Sequence, residues 1–238
     1  MKNKSLLLIF LILIGCSLTV SAVSAKNVAY LLKDFTTPNA DLISVLNEMG
    51  LTYDTISESN IPITDFSQYN MILVGNQNFL NPNGIPYNSY PTLMINRYHY
   101  YTNSNPGSWG WSTTRGQQSA NPSPVIIKRT PSNSLIEEIN KGLPNSFSTY
   151  SQANQNLYYL KGGKASGITL PNYVSGHTNA DAVIAVAQPG NIFLNGKVAA
   201  SKSIFYGVTE TQYWKNNSRA LFKNCIEYLA RSSENEPG

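Results

Sequence analysis

A strand, a helix and a second strand near the start of the chain constrain the fold most. Residues 28–32 form a short apolar run, and residues 53–56 form another. Between them, apolar residues repeat at the spacing of one helix face, at Leu42, Val45, Leu46 and Met49. Asn39 can cap this helix and Gly50 can end it. Two strands joined through a helix form a crossover unit, so the pattern predicts a sheet with parallel strands and right-handed connections.

Further strands and helices are predicted along the chain. Short apolar runs predict strands at 71–74, 92–95, 125–128, 147–150, 157–160, 182–187 and 203–208. We expect the strands at 147–150 and 157–160 to be joined by a polar turn, and helices at 134–141 and from the cap Ser218 to about Arg231. Residues 97–124 have no periodicity and predict a long loop. The alternation of elements predicts an α/β fold.

The first residues have the pattern of an export signal. Lys2 and Lys4 precede an apolar run, and small residues follow up to Ala25. This pattern predicts a signal peptide over residues 1–25 and a secreted or extracytoplasmic protein. Two alternatives stay open. In the first, residues 13–16 fit the lipid-attachment pattern of bacterial lipoproteins, and a lipid on Cys16 would hold the protein at the cell surface. In the second, the apolar run is not cleaved and anchors the protein in the membrane.

The remaining chain is expected to form one domain over residues 26–231, followed by a polar tail at 232–238. Charged residues make up only 13% of the sequence, with 17 Lys and Arg against 13 Asp and Glu. This composition argues against a nucleic-acid binder that works by charge. A membrane contact is expected only through an uncleaved or lipidated N-terminus. Cys225 lies on the apolar face of the last predicted helix, which favours a buried thiol.

The order of these segments resembles the class I glutamine amidotransferase-like fold, in its exported ThuA-like branch. The segments that carry the resemblance are 28–32, 39–50, 65–75, 134–143 and 195–208 leading into 220–222. The resemblance implies a three-layer flavodoxin-like sandwich with a mostly parallel central sheet.

One departure from this family concerns its chemistry. The family places a nucleophilic cysteine on a tight Gly-x-Cys-x-Gly turn after a central strand. The best matching turn, residues 95–99, reads Ile-Asn-Arg-Tyr-His, with no cysteine, no serine and no flanking glycine. A His-Glu pair near the C-terminus is also missing, because the only histidines are His99 and His177. The Cys-His-Glu triad is therefore absent, and we expect a protein without amidotransferase activity, cofactor or metal.

A binding site is predicted where the parallel strands end. Loops that leave the carboxyl ends of such strands converge on one edge of the sheet. These loops carry Asp34, Asn76, Asn78, Arg97, His99 and Glu210, which predicts an amide-rich crevice. Trp109 and Trp111 would share one face of an extended segment, where exposed rings suit a sugar. Alternatively, these rings pack the long loop onto the sheet.

Three functions remain open at this point. The first is a non-catalytic module that binds a ligand or partner at the cell surface, with a glycan as the candidate ligand. The second is a hydrolase that acts on a carbohydrate or peptide through a sheet-edge site around His99. The third is a structural module of the cell envelope.

Overall fold

The computed structural model describes residues 27–34, 37–104, 106–119, 126–131 and 133–231. The predicted signal peptide, its alternatives at Cys16 and the polar tail at 232–238 lie outside these residues. Within the described ranges, no helix combines the length and the apolar character needed to cross a bilayer.

The strands form one large sheet and one ribbon. In the part of the chain that the structure describes, the strands are β1 (Asn27–Leu32), β2 (Thr52–Ser57), β3 (Met71–Val74), β4 (Thr92–Met94), β5 (Ser112–Ser119), β6 (Ile126–Arg129), β7 (Ser146–Ser148), β8 (Asn156–Lys164), β9 (Thr169–Val174), β10 (Ala182–Ala187) and β11 (Ser203–Tyr206). The large sheet has nine strands in the order β2-β1-β3-β4-β11-β10-β9-β6-β7. The ribbon pairs β5 with β8.

Parallel pairing runs through the half of the sheet that contains β1. β1 pairs in parallel with β2 and β3, and β4 pairs in parallel with β3 and β11. The strands β10, β9, β6 and β7 extend the sheet beyond β11 through antiparallel pairs. The prediction that segments 28–32, 71–74 and 92–95 lie side by side in the same direction is confirmed.

The two faces of the large sheet are covered differently. The helices α1 (Ala40–Glu48), α2 (Ser134–Ile139) and α3 (Asn216–Ala230) all contribute side chains to one core, as Leu46, Ile139 and Phe222 show. The opposite core is built from 3₁₀ turns and loops rich in aromatic residues, including Phe66 and Tyr87. The predicted three-layer α/β fold is confirmed, and in the described residues its second outer layer is formed without α-helices.

The start of α1 follows the sequence prediction. The side-chain oxygen Oδ1 of Asn39 accepts hydrogen bonds from the backbone N–H groups of Asp41 at 3.0 Å and Leu42 at 3.1 Å. A cap of this kind satisfies donors that the first helical turn leaves open. α1 therefore begins at the carboxyl edge of the parallel strands, because it follows β1 directly.

The ribbon contradicts one prediction. β5 lies inside the segment predicted as a loop. Its sequence is polar and most of its side chains are exposed, so it lacks the apolar pattern of a buried strand. The strands expected at 147–150 and 157–160 are present as β7 and β8, and β8 pairs with β5 whereas β7 pairs with β6. The ribbon meets the large sheet after β11, where the Tyr158 N–H donates to the carbonyl oxygen of Gly207 at 3.0 Å. A Cβ atom at Gly207 would lie 1.9 Å from the Tyr158 oxygen, so only glycine fits this contact.

The final helix also starts differently from its prediction. α3 begins at Asn216, with Lys215 as its cap residue. Ser218 lies inside the first turn, where its buried hydroxyl donates to the Thr149 carbonyl oxygen at 2.6 Å. This hydrogen bond links the start of α3 to Thr149, the residue after β7. Cys225 is fully buried on the apolar face of α3, as predicted.

Candidate functional site

A cavity of about 240 Å³ lies at the carboxyl ends of the parallel strands β1, β3, β4 and β11. The residues after β3 and β11 form its polar walls: Asn76, Gln77, Thr209, Glu210, Thr211 and Gln212. The start of α1 closes a third side with Asn39 and Leu42. The cavity therefore lies at the edge of the sheet that the sequence predicted, between strands that all point toward it.

Apolar groups at the ends of the strands also line the cavity, from Tyr30, Leu32 and Ile95. The Tyr30 hydroxyl accepts a long hydrogen bond of 3.4 Å from the Asn39 N–H. Burial raises the pKa of Tyr30 to about 12, so the phenol stays neutral. A lining that combines neutral apolar groups with polar side chains suits a small polar ligand.

Asn96 organises the turn that follows β4. Its side-chain nitrogen Nδ2 donates to the carbonyl oxygens of Gly75 and Gln77, both at 2.8 Å. Its oxygen Oδ1 accepts from the N–H groups of Tyr98 at 2.8 Å and His99 at 3.2 Å. The buried amide thus ties the loop after β3 to the loop after β4. Sequence reasoning missed this role, although an asparagine directly after a strand is a known signal of an Asx turn.

Arg97 and Glu210 form an ion pair at the rim of the cavity. The Arg97 nitrogen Nη1 lies 3.2 Å from the Glu210 oxygen Oε1. The guanidinium also donates to the hydroxyl oxygens of Tyr98 at 2.8 Å and Tyr158 at 3.4 Å. Its carbon lies 5.0 Å from the centre of the Tyr98 ring and 5.8 Å from that of Tyr158. The ribbon therefore helps to hold the arginine, because Tyr158 belongs to β8.

Asn76, another predicted site residue, also contacts Arg97. Its oxygen Oδ1 accepts the Arg97 backbone N–H at 3.2 Å. Of the eight residues singled out from the sequence, the structure brings Asn76, Arg97 and Glu210 together.

Thr209 is the most informative wall residue. It is only 4% exposed and lines the cavity. Its hydroxyl oxygen Oγ1 is buried and has no hydrogen-bond partner among the described residues. Buried polar atoms without partners are rare in folded proteins because their desolvation is not compensated. The Thr209 hydroxyl is therefore a polar atom of a wall residue that no described residue satisfies.

Two of the other predicted residues lie outside the cavity. Asp34 and Asn78 are exposed, and neither lines it. Both follow their strands closely, but the chain turns their side chains toward solvent.

The prediction that His99 belongs to the crevice is wrong. His99 is fully buried in the aromatic layer on the other face of the sheet, with its ring centre 5.4 Å from that of Trp109. Its nitrogen Nδ1 lies 3.1 Å from the Gly107 carbonyl oxygen, and Nε2 has no partner within the described ranges. Burial lowers the pKa of His99, which favours the neutral ring. The turn at Asn96 directs His99 away from the cavity.

The prediction of exposed tryptophan rings is wrong as well. Trp109 and Trp111 are fully buried. Trp109 donates its indole N–H to the Pro82 carbonyl oxygen at 2.9 Å, and the Trp111 ring lies 5.1 Å from that of Phe193. Both rings pack the long loop onto the sheet, which was the alternative interpretation. Neither ring can stack on a ligand in this structure.

The turn after β4 lacks the strained geometry of a nucleophile elbow. Among the described non-glycine residues, only Asn154 adopts a left-handed φ, at 63°. Residues 95–99 therefore form an ordinary turn stabilised by Asn96. Cys225 lies far from this turn in sequence, and burial raises the pKa of its thiol well above the usual range. Across the part of the chain that the structure describes, no group of three or more His, Cys, Asp or Glu side chains could hold a metal ion.

Comparison with known proteins gives structural neighbours only. No family model matches the chain, and no curated protein matches it. The fold is similar to a chain from Thermoplasma acidophilum described as a GMP synthase subunit protein, with 14% identity, a TM-score of 0.47, and coverage of 86% of this chain and 94% of that one. It is also similar to a glutamine amidotransferase from Thermotoga maritima, with 7% identity, a TM-score of 0.44, and coverage of 87% and 98%. Because both TM-scores are below 0.5, the α/β fold is assigned from the strand order and helices described above.

Proposed function

We propose that the protein is an exported, non-catalytic amidotransferase-like module that binds a neutral polyhydroxylated ligand, such as one unit of a glycan. The unpartnered, buried hydroxyl of Thr209 in the wall of the cavity carries this proposal, since no described residue satisfies it. We expect a polar group of the ligand to complete its hydrogen bonding.

The hydrogen-bonding groups around the cavity favour a ligand rich in hydroxyl groups. The Asn76 oxygen is already used by the Arg97 N–H, which leaves the NH₂ group as the donor that this residue offers. Glu210 offers a second carboxylate oxygen as an acceptor, because Arg97 engages Oε1. A hydroxyl group both donates and accepts, so neighbouring hydroxyl groups match this mixture of donors and acceptors.

The size of the cavity favours a single small unit. Pockets that enclose drug-sized ligands span about 300 to 1,000 Å³. The observed volume of about 240 Å³ is below that range. A terminal sugar residue fits this size better than an internal segment of a long chain, since the cavity has polar walls on several sides.

The non-catalytic part of the proposal rests on the residues at the expected catalytic positions. The turn at 95–99 carries Arg97 where the family places its nucleophile. The alternative of a hydrolase centred on His99 loses its base at the sheet edge, because His99 is buried on the opposite face.

A binding experiment tests the ligand. The purified protein is screened against a panel of immobilised neutral mono- and oligosaccharides. We expect saturable binding that Thr209→Val weakens about tenfold, since the substitution keeps the shape and removes the hydroxyl. Thr55→Val, at an exposed position of β2, is the matched control and should bind like the wild type. Absence of binding to every glycan, or equal loss in both variants, would contradict the proposal.

A mass measurement tests the export. A mature protein that begins at Lys26 would support the signal peptide, and a lipid-modified N-terminus at Cys16 would support attachment to the cell surface. A full-length cytoplasmic protein would contradict export altogether.

A further inference from the structure

We infer that the cavity selects neutral glycan units against acidic ones, and that Glu210 is the residue that determines this specificity. The inference rests on the proposed function, because it concerns the same cavity. It goes further by naming the class of sugar that is accepted and the class, such as uronic acids, that is rejected.

The first observation concerns the charges of the cavity wall. Glu210 contributes a carboxylate, and the described residues that line the cavity include no lysine or arginine. The Glu210 side chain is about one-fifth exposed, so a ligand in the cavity comes close to its carboxylate in a partly desolvated setting. A second carboxylate placed there would be repelled, and this repulsion is stronger near the protein than in bulk water.

The second observation is that Arg97 is occupied by other groups. Its nitrogen Nη1 contacts Glu210 and the Tyr158 hydroxyl, and Nη2 contacts the Tyr98 hydroxyl. Two aromatic rings also lie within 6 Å of the guanidinium carbon, at 5.0 and 5.8 Å. Three of the five guanidinium N–H groups are therefore engaged, and the Glu210 carboxylate already neutralises the charge. A ligand carboxylate would have to compete with Glu210 for this arginine.

The third observation concerns the helix that begins at the cavity. A helix N-terminus ordinarily attracts anions through its open N–H groups. Here the Asn39 oxygen Oδ1 already accepts from Asp41 N–H and Leu42 N–H. The first turn also carries the Asp41 carboxylate, whose Oδ2 lies 3.3 Å from the hydroxyl of the wall residue Thr211. The start of α1 thus adds negative charge near the cavity and offers few donors to an anion.

Together, these charges and contacts make the cavity selective for neutral sugars over acidic ones. Neutral hydroxyl groups can donate to Glu210 and accept from Asn76. A sugar carboxylate instead meets Glu210, with Asp41 beside the wall residue Thr211 and no lysine or arginine among the described lining residues. We expect uronic acids to bind at least about tenfold more weakly than the matching neutral hexoses.

The test compares pairs of sugars that differ only in charge. Immobilised glucose and glucuronate, galactose and galacturonate, and neutral disaccharides with their uronate counterparts are bound to the wild type at pH 7. Glu210→Gln should bring the ratio of neutral to acidic affinity to within about threefold. Glu227→Gln removes the same charge from an exposed position on α3 and should leave the ratio unchanged.

A salt titration of the wild type gives an answer even if Glu210→Gln folds poorly. Since salt screens charge repulsion, raising the NaCl concentration should strengthen uronate binding relative to neutral binding. Neutral and acidic sugars that bind equally well, or a ratio unaffected by both salt and Glu210→Gln, would overturn the inference while the proposed function stands. No binding by any member of the panel would instead contradict the proposed function.

Discussion

Replacing Gly207 with alanine is expected to separate the β5–β8 ribbon from the large sheet. The new methyl group would lie 1.9 Å from the Tyr158 carbonyl oxygen, while ordinary contacts begin near 3.4 Å. The strand must therefore move by about 1.5 Å, the difference between 3.4 and 1.9 Å, because the obstacle is backbone and cannot rotate away. This movement also breaks the hydrogen bond from Tyr158 N–H to Gly207, which is 3.0 Å long.

The expected cost combines these two effects. Overpacking typically destabilises by about 1 to 3 kcal/mol, and the lost hydrogen bond adds about 1 kcal/mol. The free energy of unfolding should thus fall by about 2 to 4 kcal/mol, which lowers Tm by about 5 to 15 °C for a domain of this size. The proposed glycan binding should weaken too, since Tyr158 helps to hold Arg97.

Thermal unfolding followed by circular dichroism measures this effect. Gly163→Ala is the matched control on the same ribbon, because its added Cβ would lie 3.2 Å from a side-chain methyl group of Thr113, which can adjust. That variant should melt within about 3 °C of the wild type. A Gly207→Ala protein that melts together with Gly163→Ala and binds normally would refute the reasoning.

Three further substitutions have defined outcomes. Burial lowers the pKa of His99, so the unfolded state takes up the proton at a higher pH than the folded state, and the free energy of unfolding should decrease as the pH falls below about 6.5. His99→Leu should flatten the pH dependence of the free energy of unfolding in urea between pH 5 and 7, and an unchanged pH dependence would contradict this. Asn96→Ala removes four hydrogen bonds and should cost about 2 to 4 kcal/mol in the same assay, whereas the exposed Asn78→Ala should cost about 0.5 kcal/mol or less. Trp109→Ala should destabilise by about 3 to 5 kcal/mol while the remaining folded protein keeps its glycan affinity, and a selective loss of affinity at normal stability would argue for a binding role.

The central strands were predictable because their signal is local. β1 and β3 are runs of four or more buried apolar residues, and such runs indicate strands covered on both faces. The parallel arrangement then predicted that Asn76, Arg97 and Glu210 would meet, because it fixes which ends of the strands share an edge.

The ribbon and the aromatic layer could not be predicted in the same way. β5 is polar and largely exposed, so its strand character depends on its partner β8 rather than on its own sequence. Trp109 and Trp111 lie among polar and small residues, and only the tertiary arrangement shows that they are buried. The unsatisfied hydroxyl of Thr209 likewise follows from its described surroundings, which the sequence does not specify.

The aromatic layer on the second face has a consequence for how this protein can vary. It is held by ring contacts and loop hydrogen bonds, such as that between Tyr87 and the Trp109 carbonyl oxygen at 2.9 Å, rather than by α-helices across the described residues. Loops accept insertions and deletions at low thermodynamic cost, whereas a helix on the opposite face must keep its length to match the strands. Relatives of this chain should therefore differ in length mainly in the loops of the aromatic face. Such changes in loop length would leave the strands of the sheet, and the cavity at their carboxyl ends, in place.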